Sequence, residues 1–314
     1  MTRKLIVDSL VYWTKEYHVD GFRFDLMGLL DAQTVMSGYE KCAEIKKDVL
    51  FIGEGWKMYN GEKGTVGMDQ NYMTKTEKVA VFNDEFRDLA KAGGMSEAGQ
   101  GFLTGKKVSI PDLFCNCSGK PVHNYSVTKP SSNVQYFACH DGLTLHDSIV
   151  NNIPLDESTE EGKIEAVNRL KLANALLLTS QGIAFLHAGQ ERGRTKTAFT
   201  TAGTDDCETI GNFVKNSYDS SDNINNFVWN ISDLHKDLLE YTKYLISLRK
   251  NNSAFTISTQ DEVMSRISLL GEYCDDFFMA YKIADSEGDW YLFFNSNKED
   301  KKIDFPIENH TKLY

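Results

Sequence analysis

Apolar positions fall into alternating helical and strand-like stretches over the first 190 residues. Leu5, Ile6, Leu10, Tyr12, Trp13 and Tyr17 recur at roughly helical spacing and predict a helix over 3–17. A short apolar run over 19–25 then predicts a strand, followed by a helix over 32–47 and a second strand over 49–53. A third run covers 79–82 and stops at Asn83-Asp84, with a glycine-rich loop over 59–72 before it. A polar turn holding Pro130, Ser131 and Ser132 introduces a fourth strand over 134–139. A helix over 163–180 and a fifth strand over 183–187 follow. Strands that alternate with helices predict a parallel sheet joined by crossover helices.

Beyond residue 190 the pattern changes. Residues 193–231 are polar and rich in Gly, Asn, Asp and Ser, the composition of a long functional loop. Leu238, Leu239, Tyr241, Leu245, Ile246 and Leu248 predict a helix over 234–250. Apolar runs over 277–283 and 290–294, separated by Asp, Gly and Glu, predict a small antiparallel β domain. The division expected is therefore 1–254 and 255–314. Five barrel-type strands precede that β domain, whereas a closed β/α barrel has eight.

Three of the strand runs end on acids. Val19 to Phe24 leads into Asp25, Val49 to Gly53 into Glu54, and Val134 to Cys139 into His140-Asp141. Strands that deliver acids at their carboxyl ends are how a β/α barrel builds an active site. Alternation puts Arg23 and Asp25 on one side of their strand and turns Phe22 and Phe24 toward the helices. An arginine beside a carboxylate favours its ionised form, and an ionised Asp25 can attack a sugar carbon. The pair equally fits a structural salt bridge at a strand end. Glu54 lies between Gly53 and Gly55 and is followed by Trp56, a setting in which a carboxyl can hold its proton as a general acid. Trp56 can also stack on a sugar ring, although the same segment reads as an ordinary strand-end turn. Asp141 can bind ring hydroxyls and stabilise positive charge developing on a sugar. His140 and His146 lack the helical spacing of a zinc pair. Two acids with divided roles are the retaining solution to glycoside hydrolysis, with carboxyl groups about 5–5.5 Å apart.

Composition narrows the partners. A net charge of −11 disfavours nucleic acid and anionic membranes and permits a neutral substrate such as a sugar. The six cysteines form no CxxC pair and suggest no disulfide framework. Cys115 and Cys117 offer two thiols to a metal without partners nearby in sequence. Scattered thiols tilt the expected location toward the cytoplasm, and no signal-peptide pattern precedes the first helix. The Leu- and Ala-rich stretch 170–187 is interrupted by Lys171, Asn174, Gln181 and Gly182, which argues for a buried helix and strand over a membrane span.

The three strand-end segments resemble, in order, conserved regions of the α-amylase family, glycoside hydrolase family 13. Gly21-Phe22-Arg23-Phe24-Asp25-Leu26-Met27 is similar to the nucleophile region on the fourth barrel strand. Gly53-Glu54-Gly55-Trp56 is similar to the acid/base region on the fifth, and Cys139-His140-Asp141 to the stabiliser region on the seventh. The resemblance implies Asp25 as nucleophile, Glu54 as acid/base and Asp141 as transition-state stabiliser, with Arg23 and His140 lining the adjacent sugar subsite. Within that family the likeness is to type I pullulanases, through Phe24 to Gly28, Phe82 to Asp88, Gly189-Gln190-Glu191 with Arg194-Thr195-Lys196, and Asn216-Ser217-Tyr218 through Asp222, Ile224 and Asn225. It makes Asp222 a secondary sugar contact, although Asn226 stands where an arginine often follows. Gly142-Leu143-Thr144-Leu145 is also similar to isoamylase-type debranching enzymes.

The fold implied is α/β, a partial TIM (β/α)8 barrel comprising strands 4–8, followed by a small antiparallel β-sandwich expected to be cut short at Tyr314. The activity implied is hydrolysis of α-1,6 bonds in branched α-glucans such as pullulan, glycogen or starch, with a missing N-terminal barrel segment as partner. The isolated chain is then expected to be weakly active or inactive. The alternatives are a glucan-binding or structural remnant and a glucan transferase. No cofactor is required. Some relatives bind calcium structurally, but Asp205, Asp206, Asp219 and Asp222 read as solvated loop positions rather than a calcium cage.

Overall fold

The structure is a computed structural model that describes residues 1–92, 97–198 and 207–306. Helix α1 (Thr2–Tyr17) ends at His18, which turns the chain in a left-handed conformation with φ 54°. Strand β1 (Gly21–Phe24) follows. Asp31 caps helix α2 (Ala32–Ile45) by accepting from the Thr34 amide at 2.9 Å. Arg3 of α1 reaches the same carboxylate at 3.0 Å, tying the two helices together. Leu10, Val35 and Cys42 fill the space between them with Phe51.

Strand β2 (Leu50–Gly53), strand β3 (Val79–Phe82), helix α3 (Asp84–Ala90), helix α4 (Ile110–Cys117) and strand β4 (Asn133–Gln135) come next. Helices α5 (Leu145–Asn152) and α6 (Glu160–Thr179) lead into strand β5 (Ile183–Ala184). The five strands pair in chain order, β1-β2-β3-β4-β5, and every pair is parallel. Sequential parallel order with intervening helices is the arrangement of an arc of a β/α barrel. Alternation sorts the side chains as expected. Phe22, Phe24 and Phe51 pack with α1 and α2, while Ile52, Ala80, Phe82, Val134 and Tyr136 form a separate cluster on the other face.

The fourth strand is shorter than its apolar run. Pairing stops at Gln135 because β3 ends at Phe82, where Asn83 starts α3, and β5 offers two residues. Tyr136, Phe137 and Ala138 remain buried beyond the ladder and carry the chain toward His140. Helices α3, α4 and α5 are additions to the periodicity-based reading. Each has a capping side chain: Asn83, Ser109 and Thr144. The segment over 59–72 is tied down by backbone bonds, Ala32 N to Val66 O at 2.8 Å and Met68 N to Leu30 O at 2.9 Å.

Among its described residues, the stretch 193–231 is not structureless. It holds a hairpin of β6 (Thr209–Ile210) and β7 (Phe213–Val214) and a short helix α7 (Asp222–Asn225). Asp205 and Asp206, two of the calcium candidates, lie outside the described residues, as does Tyr314. Helix α8 (Asp233–Asn251) packs along α6. After α9 (Gln260–Arg266), strands β8 (Ile267–Leu269), β9 (Phe278–Ile283) and β10 (Trp290–Asn295) form an antiparallel sheet in the order β10-β9-β8.

Instead of standing apart, this sheet shares a core with the helices. Tyr281, Ile283, Leu292 and Phe294 belong to one cluster with Phe86, Leu113, Leu170 and Leu177. Arg169 of α6 crosses the junction to donate to Ser296 O. A sandwich has two facing sheets. The described residues after 255 form one, whose buried face meets α4 and α6. No helix among the described residues is long and apolar enough to cross a membrane.

Candidate active site

Strand register brings the first two acids together. Phe24 lies opposite Gly53 in the parallel pairing of β1 with β2, so Asp25 and Glu54 leave the same sheet end on neighbouring strands. The backbone closes around them: Glu54 N donates to Phe24 O at 3.1 Å, and Gly28 N to Glu54 O at 2.8 Å. Position 28 admits only glycine, because a Cβ there would sit 1.8 Å from Trp56 O.

Arg23 links both acids. Its guanidinium donates to Asp25 Oδ1 and, through the other terminal nitrogen, to Glu54 Oε1 at 2.6 Å. A planar fork with fixed donor directions is what such a bridge needs. Burial works against the Arg23 charge, but the Asp25 hydrogen bond and the charges of Glu54 and Asp25 outweigh it and raise its pKa. Glu54 is 5% exposed, and its second oxygen accepts from Leu26 N at 2.7 Å. Asp25 is open, with 65% of its side chain exposed, so the site pairs a sheltered carboxyl with an accessible one.

The third segment meets them. His140 Nε2 lies 3.6 Å from Asp25 Oδ1 and 3.4 Å from Asp141 Oδ1. Arg23, Asp25, Glu54, His140 and Asp141 therefore form one connected group at the carboxyl ends of β1, β2 and β4, with Asp141 six residues beyond β4. Trp56 is half-buried and packs on the cluster of Ile52, Ala80, Phe82, Val134 and Tyr136. Asp222 is exposed on α7. Its loop reaches the site through Asn216, whose Oδ1 accepts from Gly142 N at 2.7 Å, and Tyr218, whose ring centre is 6.3 Å from that of His140.

The structure also sorts the metal candidates. His146 is buried between Asp147 at 3.2 Å and Glu157 at 2.9 Å. Burial opposes its charge, but these two carboxylates prevail and raise its pKa to about 9. Burial pushes the Cys117 thiol up to about 12, and among the described residues it joins no cluster of donors with Cys115. Among the described residues, three metal-ligating side chains converge in one place, at Cys139, His140 and Asp141.

Several further residues were given no role by the sequence. Asp147 is fully buried and accepts from Thr195 Oγ1 at 2.5 Å and from Lys196 N at 2.9 Å. Lys196 donates to Ser217 Oγ, and burial lowers its pKa to about 8. His187 is held down to about 4 by burial and by the charges of Lys196, Arg194 and His140. Its signal was positional, since it ends the fifth apolar run as His140 ends the fourth. Glu85 gave no such signal. It accepts from the amides of Val122, His123 and Asn124, each at 2.8 Å, and from Asn116 at 2.7 Å.

No family model matches the chain. Pullulanase A of Streptococcus pneumoniae serotype 2 is 35% identical over 340 residues, covering 98% of this chain and 27% of that protein. The product complex of SpuA, a multi-modular glycogen-degrading pneumococcal virulence factor, superposes with a TM-score of 0.90 at 32% identity, covering 96% of this chain and 34% of that one. The Group B Streptococcus pullulanase SAP in complex with maltotetraose gives a TM-score of 0.87 at 34% identity, covering 95% and 42%. The chain thus spans between about a quarter and two fifths of the length of these proteins. Over nearly its whole length it is a pullulanase homologue that corresponds to part of those longer proteins.

Proposed function

We propose that this chain carries the reacting carboxylates of a retaining debranching enzyme acting on α-1,6 bonds of branched α-glucans. The observation behind this reading is the single group formed by Arg23, Asp25, Glu54, His140 and Asp141 at the carboxyl end of a parallel sheet. In the first step the exposed Asp25 carboxylate attacks the sugar C1 while Glu54 gives a proton to the leaving glycosidic oxygen. The C1–O bond breaks and a glycosyl ester forms on Asp25. In the second step Glu54 takes a proton from water, the water oxygen bonds C1, and Asp25 leaves as a carboxylate. Asp141 and His140 face the ring and stabilise positive charge on it, and Arg23 fixes the two acids relative to each other.

The reaction as written uses carboxylates and water. Trp56 and Asp222 are assigned to sugar contact, and 1–254 to the catalytic part. The sheet after 255 is read as half of a sandwich, and the remaining barrel strands as supplied by another segment. Pullulanase homologues, one of them solved with maltotetraose, support this choice of substrate class.

The covalent intermediate is the test. The chain is combined with a polypeptide supplying the other barrel strands and treated with a fluorinated α-glucosyl fluoride, which forms the ester faster than it is hydrolysed. Mass spectrometry is expected to find one glycosyl group on the peptide bearing Asp25. Labelling elsewhere, or none, rejects the assignment.

A further inference from the structure

Residues 139–141 leave the sheet beyond β4 and bend before α5, so successive side chains that alternate on a strand converge here instead. The Cys139 sulfur, a His140 ring nitrogen and an Asp141 oxygen all lie within 4.8 Å of one another, with the His140 and Asp141 side chains open to solvent. His140 Nε2 stands 3.4 Å from Asp141 Oδ1 and 3.6 Å from Asp25 Oδ1. Both separations exceed the roughly 2.7–3.2 Å of a good N–H···O hydrogen bond. The His140–Asp141 separation matches the edge of a zinc tetrahedron, since bonds of about 2.0–2.1 Å place neighbouring nitrogen and oxygen ligands roughly 3.4 Å apart.

We propose that Cys139, His140 and Asp141 form a site for one zinc-class divalent cation, with water in the fourth position. A thiolate, an imidazole and a carboxylate suit a borderline-soft cation, whereas magnesium and calcium take oxygen ligands. On binding, the Cys139 thiol releases its proton to solvent and its sulfur bonds the metal. The cation occupies Asp141 and faces Asp25, so metal and glucan exclude each other. That consequence rests on the glycosidase reading; the metal site itself does not.

Titration of the chain with Co2+, a zinc stand-in whose thiolate complexes show charge-transfer absorption, tests the site without any activity assay. One cobalt per chain is expected to bind with that absorption and to be displaced by Zn2+. The substitution Cys139→Ser is expected to remove the absorption and weaken binding roughly 10-fold or more. Alkylation of the unmutated chain by iodoacetamide, followed by peptide mass spectrometry, provides a readout that needs no variant. Zn2+ is expected to protect Cys139. Absence of charge-transfer absorption at stoichiometric cobalt, unchanged binding by Cys139→Ser, or alkylation of Cys139 unaffected by Zn2+ overturns the proposal.

Discussion

Arg23 is the side chain on which the geometry of the candidate site turns. Among the described residues it is the one group bonded to both Asp25 and Glu54, and its guanidinium also lies 5.6 Å from the Phe82 ring. A lysine keeps the charge but holds it as a compact ammonium on a flexible stem, without the planar fork that spans both acids. Arg23→Lys is therefore expected to lower kcat by about 10²-fold through misplacement of the acids, with glucan KM changed much less; steady-state kinetics on pullulan check the split. His146 supplies a pH signature separate from catalysis. Its folded pKa, raised to about 9, lies above its ordinary value of 6.5. Its ion pairs with Asp147 and Glu157 thus stabilise the fold fully below about pH 6.5, and this contribution is lost as pH rises through 9. The difference corresponds to roughly 3 kcal/mol. Lys196, with its folded pKa lowered to about 8, titrates in the same window with the opposite sign, so the readout is the difference between two chains: His146→Gln should have the lower urea midpoint at pH 6, and that gap should close by pH 10.

At the scale of elements, register and caps place the chemistry. Parallel pairing of Phe24 with Gly53 sets Asp25 beside Glu54, and this was legible in the sequence because each acid ends an apolar run of strand length. The shape of the fourth strand was not legible. Tyr136 to Ala138 are as apolar as a strand but lie past the last residue of β3, and periodicity within one segment carries no information about where its neighbours stop. The same limit hid the contact of Asp147 with Lys196, which joins residues 49 apart, and β6 and β7, which are two residues each. Asn83 shows how a short signal carries a large role. It caps α3 by accepting from Phe86 N at 3.1 Å, and its amide donates to Asn116 and Gln135, each at 3.0 Å. Asn83→Ala removes the cap and leaves buried acceptors short of a partner. It is expected to destabilise the chain by roughly 2–3 kcal/mol, read from denaturant midpoints at constant m-value.

At the scale of the whole molecule, the antiparallel sheet after residue 255 shares one core with the helices before it. Tyr281 and Phe294 of the antiparallel sheet lie in the same cluster as Phe86 and Leu170. The sheet therefore buttresses α4 and α6, whose Leu113 and Leu170 share that core with Phe137 and Ala138, the residues that lead from β4 toward His140. At the carboxyl end of the parallel sheet, Glu54 is the sheltered acid of the proposed glycosidic site. The direct measurement is the release of reducing ends from pullulan by the chain in a completed barrel, with Glu54 and with Gln at that position. The amide keeps size and shape but can neither give nor take the proton. Loss of one general acid–base group is expected to cost about 10²–10⁴-fold in kcat. Hydrolysis with Glu54 and a loss of that size in Glu54→Gln is the predicted result; no hydrolysis with Glu54, or equal rates for the two, contradicts the account.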